Sequence, residues 1–76
     1  MTTLQIVQDI LQEQLAIEIQ SLTPEAIFTD LGADSLDMVE IIMTCESEFP
    51  IDIPDEIAAT IRTIQDLVTI IDNKIP

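Results

Sequence analysis

The chain has no histidine, tryptophan or tyrosine, one cysteine, one glycine and only two basic residues among its 76. Each shortage removes a class of function. Without histidine, no Ser-His-Asp or Cys-His arrangement can activate a nucleophile. A lone thiol, Cys45, makes neither an internal disulfide nor a cysteine-based zinc site. With Arg62 and Lys74 as the only cations against fifteen acids, the formal net charge is −13. Such a charge repels nucleic acid, whose phosphates need lysine and arginine partners, and anionic membrane surfaces. No stretch approaches the roughly 20 apolar residues of a membrane span. The N-terminus carries neither a basic region nor a long apolar run, so no secretory or transit peptide is expected. These features predict a soluble, cytoplasmic and monomeric protein.

What is present is a hydrophobic fraction of 47%, with aromatics limited to Phe28 and Phe49. That is too apolar for a disordered chain and points to an aliphatic core. The length predicts a single domain over 1–76. A chain this short buries only about 60–65% of its unfolded surface and is stable by a few kcal/mol. The acidity predicts protein partners with basic patches. It also predicts that added salt stabilises the fold by screening self-repulsion.

Apolar periodicity predicts an all-α architecture: an antiparallel bundle of three longer helices and one short one, with a long loop between the first two. Leu4, Val7, Ile10, Leu11 and Leu15 mark a helix over 3–16, with Thr2 or Thr3 as its cap. In the loop over 17–34, Thr23-Pro24-Glu25 predicts a short helical turn. Ile17, Leu22, Ile27, Phe28 and Leu31 are expected to tie the loop to the core, and Gly32 to supply its last sharp turn. The second helix is expected over 35–49, closed by Pro50. A strand-like stretch over 51–53 leads to Pro54-Asp55-Glu56, the start of a brief third helix reaching about residue 60. Thr63 with Asp66 three residues on forms a capping-box start for a fourth helix over 64–73.

The second helix is apolar on two sides. At about 100° per residue, Met38, Ile41, Ile42, Cys45 and Phe49 share the core-facing side, while Leu36, Val39 and Met43 fall opposite. Asp34, Asp37, Glu40, Glu46 and Glu48 surround that second stripe. An apolar patch with an acidic rim suits a partner bearing basic residues around a hydrophobic spot. The plainer alternative is that three exposed aliphatics are ordinary surface.

The sharpest local feature is Leu31-Gly32-Ala33-Asp34-Ser35-Leu36-Asp37. A serine at a helix start can serve simply as a cap for free backbone N–H groups. The same place also favours phosphate, because those N–H groups and the helix dipole point at it. The flanking acids oppose a built-in anion site and make better sense as contacts for a modifying enzyme or its metal.

This segment resembles the attachment motif of the acyl carrier proteins of type II fatty acid synthesis. The similarity continues through Val39-Glu40, the stretch from Glu46 to Phe49, Ile53-Pro54-Asp55-Glu56 and Thr63, and so spans nearly the whole chain. The resemblance implies that a phosphopantetheinyl transferase joins 4′-phosphopantetheine from coenzyme A to the Ser35 hydroxyl. Acyl groups would then be carried as thioesters on its thiol, and the chain itself would not be an enzyme. It implies that Asp34, Asp37, Glu40 and Glu46, with Leu36 and Met43, dock to basic patches on acyl-transfer and condensing enzymes. It further implies an acyl cavity lined by Ile41, Ile42, Cys45, Ile53, Ile61 and Leu67.

Departures from the family pattern are Ser47 where another acid is usual, Cys45 in place of a larger aliphatic, no lysine in the first helix, and a first loop about one residue short. They leave open a specialised carrier for a dedicated lipid or polyketide system. Cys45 reads most simply as a small buried hydrophobe. Two other functions compete: an acidic interaction module that needs no serine, and a peptidyl or D-alanyl carrier. Asp30, Asp34 and Asp37 lack EF-hand spacing, so no metal site is expected.

Overall fold

A computed structural model describes residues 1–75. Four helices follow one another: α1 (Thr3–Leu15), α2 (Ser35–Glu48), the single-turn α3 (Asp55–Ala58) and α4 (Ile64–Lys74). Capping boxes start the three longer ones. Thr2 with Gln5, Asp34 with Asp37, and Thr63 with Asp66 each exchange side-chain and backbone hydrogen bonds across the first turn. Each box satisfies two N–H donors that a helix start otherwise leaves open.

The helix ends explain the small departures from the periodicity. α1 stops at Leu15 and not at 16, because Ala16 turns into the left-handed region at φ 55°. α2 stops at Glu48, because Phe49, which precedes Pro50, is extended; a residue before proline is pushed out of the helical region. α4 runs to Lys74, one residue beyond the expected 73. Past α3 the chain turns over 59–60 without remaining helical.

The core is one cluster drawn from all three longer helices and the loops. Val7, Leu11, Leu22, Ile41, Cys45, Ile64, Leu67 and Ile71 are fully buried within it. Each large aliphatic withdrawn from water in this way contributes about 1.5–3 kcal/mol. Thr3 at the start of α1 donates from its hydroxyl to Asp72 near the end of α4. Gln14 near the end of α1 donates to Thr44 in the second half of α2. With the start of α1 against the end of α4, those two helices run antiparallel.

The long loop differs most from expectation. Its helical turn is a 3-10 turn at Ile19–Ser21, while residues 23–26 form a β-turn closed by the Ala26 N–H on the Thr23 carbonyl at 3.0 Å. Pro24 takes the second position of that turn, where its fixed φ fits. Leu22 and Phe28 are buried, Ile17 and Leu31 half-buried, but Ile27 is 42% exposed. Gln8 on α1 donates to the Leu22 carbonyl at 2.8 Å. The loop then pairs with the entrance to α4. The Phe28 N–H bonds the Arg62 carbonyl, the Ile64 N–H bonds that of Ala26, and the Gln65 N–H bonds that of Pro24. Ile27 and Thr63 thus form an isolated antiparallel bridge.

The 51–53 stretch forms no strand. Its anchor is Glu46 on α2, whose carboxylate accepts the Ile53 N–H at 2.8 Å. A carboxylate in the last turn of α2 thus replaces the sheet partner that the alternation suggested.

Candidate functional site

Ser35 is the first residue of α2 and not its cap. The capping belongs to Asp34, whose Oδ1 accepts the Asp37 N–H at 2.9 Å, while Asp37 Oδ2 accepts the Asp34 N–H at 3.1 Å. This corrects the capping role considered for the serine, and the reason is local. An aspartate immediately before Ser35, with a second acid three residues on, makes the stronger reciprocal pair. Ser35 is left exposed, and its hydroxyl joins none of the hydrogen bonds among the described residues. Just upstream, the Ala33 N–H returns to the Phe28 carbonyl at 3.1 Å and Gly32 turns at φ 86°. A side chain at Gly32 would meet open space. The constraint there is the backbone conformation alone, which favours glycine.

Ser35 borders two grooves. One, of about 420 Å³, lies between α2 and α3 and is lined by Met38, Val39, Ile42, Met43, Ile53, Ala58 and Ile61. The other, of about 700 Å³, lies between the 27–34 loop and residues 61–63. Met38 and Ile61 line both and form the ridge between them. Of the six residues expected around an acyl cavity, Ile42, Ile53 and Ile61 line the first groove. Ile41, Cys45 and Leu67 are completely buried in the core and line neither. Helical periodicity identifies an inward face but does not distinguish core from groove wall. Met38, Val39, Met43 and Ala58 are wall residues that this expectation left out. The paired small residues Ala58-Ala59 were the available signal, since small side chains opposite a helix leave space unfilled.

The second stripe of α2 is exposed: Leu36 by 68%, Val39 by 53% and Met43 by 63%. Ile57 on α3 is a further exposed aliphatic that the sequence reading passed over. Among the acids of the rim, Glu40 is exposed, Asp34 and Asp37 are joined in the capping box, and Glu46 is half-buried against Ile53.

Among the described residues, Cys45 and Asp66 titrate away from their ordinary values. Burial, with the nearby charges of Glu46 and Glu48, pushes the Cys45 thiol up to about 12. Asp66 is held below the usual 3.8 by the backbone N–H groups of Thr63 and Arg62. Neither group lies at Ser35. Among the described residues no cluster of His, Cys, Asp or Glu is arranged to hold a metal ion, and no helix is long and apolar enough to cross a membrane.

Comparison with known proteins gives consistent results. The sequence profile of the phosphopantetheine attachment site matches residues 5–71. An acyl carrier protein of Thermosynechococcus vestitus is 47% identical over 73 residues, covering 95% of this chain and 90% of that one. The crystal structure of an acyl carrier protein from Thermotoga maritima superposes with a TM-score of 0.81 at 31% identity, over 92% of this chain and 82% of that one.

Proposed function

Because this chain belongs to the phosphopantetheine attachment family, we propose that Ser35 Oγ is the atom to which 4′-phosphopantetheine is joined. The chain is an acyl carrier and not an enzyme. When attached, the group supplies a thiol on a flexible arm, and acyl chains are carried on it as thioesters. What chiefly supports Ser35 is that the residue is exposed and its hydroxyl bonds no described residue, while Asp34 and Asp37 hold the helix start around it. A nucleophile in this setting needs its base from elsewhere, and a transferase supplies one. Ser35 Oγ forms a bond to phosphorus, the adenosine bisphosphate half of coenzyme A leaves, and the hydroxyl proton passes to the transferase.

The remaining residues divide by position. The exposed Leu36, Val39 and Met43, rimmed by Asp34, Asp37 and Glu40, form the face for acyl-transfer and condensing enzymes with basic patches. A flat apolar patch sets contact area, and the rim raises the rate of encounter. The groove between α2 and α3, with Met38, Ile42, Ile53 and Ile61, takes the acyl chain. Its apolar wall residues carry no aromatic ring and part at low cost. We assign the chain to the cytoplasm as a monomer.

The test is intact mass before and after incubation with coenzyme A, Mg²⁺ and a broad-specificity phosphopantetheinyl transferase. The expected result is a gain of one phosphopantetheine that Ser35→Ala abolishes. A folded, initially unmodified chain that gains nothing would instead be an acidic interaction module.

A further inference from the structure

Only two side chains in this protein are cationic, and they lie at opposite ends of α4. Lys74 is in its last turn. Arg62 precedes its first, roughly 18 Å away along the axis at about 1.5 Å per residue. Arg62 lines the groove between the 27–34 loop and residues 61–63, which Asp34 and Ser35 also border. Its backbone is held on both sides: the N–H donates to Asp66 Oδ2 at 3.0 Å, and the carbonyl accepts from Phe28 at 3.0 Å. The exposed side chain therefore springs from a fixed point on the wall of the groove.

A phosphodiester on Ser35 adds a negative charge beside Asp34 and Asp37 in a chain already at −13. The two carboxylates occupy N–H groups at the start of α2 that would otherwise face an anion. Relief has to come from a side chain, and Arg62 is the cation that shares a groove with Ser35. A guanidinium presents a fork of N–H donors that matches phosphate oxygens in pairs. We propose that Arg62 binds the phosphate of the group carried on Ser35 and draws the near end of the arm into the groove beside the 27–34 loop. This rests on Ser35 being the attachment site. Asp34, in the same groove, and Asp66, beside Arg62, compete for the guanidinium, but both already accept backbone N–H groups.

The experiment uses the full chain, loaded and checked by intact mass, as wild type, Arg62→Ala, Arg62→Lys and Lys74→Ala. Phosphorus NMR reads the phosphodiester directly. The expected result is a phosphorus line in the wild type that Arg62→Ala moves toward the position and sharpness of free phosphopantetheine. Arg62→Lys, which keeps the charge without the fork, falls between them. Lys74→Ala, with the same change in net charge, leaves the line in place. High salt shifts the wild-type line as Arg62→Ala does, and loading moves the Phe28, Thr29 and Thr63 amides in the wild type but not in Arg62→Ala. A loaded chain whose phosphorus line ignores Arg62→Ala, or responds equally to Lys74→Ala, overturns this inference alone. A chain that gains no mass overturns the attachment reading and this inference with it.

Discussion

Glu46 sits where its surface role and its structural role can be separated. Its carboxylate accepts the Ile53 N–H at 2.8 Å in a half-buried setting. Glu46→Ala leaves that donor without a partner, and losing a hydrogen bond to a charged group costs about 1.5–3 kcal/mol. Against this, removing a carboxylate from the last turns of a helix relieves an unfavourable dipole contact by about 0.3–1 kcal/mol. The net loss is about 1–2 kcal/mol. A domain of this size melts about 6 °C lower per kcal/mol lost, so the expected fall is about 6–12 °C. Glu46→Gln keeps an acceptor oxygen in place and should lose less than half of that. Glu48→Ala removes an exposed charge two residues away, for which no side-chain hydrogen bond is present among the described residues; it should melt with the wild type or slightly above. Thermal unfolding followed by circular dichroism at fixed salt measures all three. If Glu46→Ala melts with Glu48→Ala, the carboxylate does not anchor the 51–53 stretch.

Raising salt from about 10 mM to about 150 mM shrinks the Debye length from about 30 Å to about 8 Å, below the 11.1 Å radius of gyration. The melting temperature should rise by several degrees, and a melt indifferent to ionic strength would contradict the self-repulsion argument. Cys45, fully buried with its thiol pushed up to about 12, should resist alkylation at mildly alkaline pH until denaturant exposes it; rapid labelling of the folded chain would place it at the surface. Asp66 binds its proton less readily folded than unfolded, so its stabilisation is present above the unfolded value and lost as pH falls through the folded one. The stability gap between wild type and Asp66→Asn should therefore hold at neutral pH and close below about pH 4; a gap that persists in strong acid would assign the effect to shape and not charge.

Much of the architecture is a local matter and was legible without coordinates. The stripe of α1, the Thr63–Asp66 box and the stop at Pro50 each lie within a few residues, the range over which helix geometry repeats. The LGADSLD motif was equally local, as was the second apolar face of α2. Local reasoning failed where partners lie far apart along the chain. Nothing near residue 27 announces that it bridges Thr63, and nothing near Ile53 names Glu46 as its acceptor. Alternation at Ile51, Asp52 and Ile53 was real, but a strand needs a neighbour, and here a side chain takes that place.

The sequence by itself determined the helical class, the net negative charge, and the serine at the head of α2, because each depends on residue identity and not on which distant surfaces meet. Only the tertiary structure decided that Asp34 and not Ser35 caps the helix. It also decided that Met38 and Ile61 divide two grooves beside the hydroxyl, and that Arg62 faces one of them. Those outcomes depend on which distant surfaces meet once the apolar stripes close on one core, and a helical period specifies a face without naming what will pack against it.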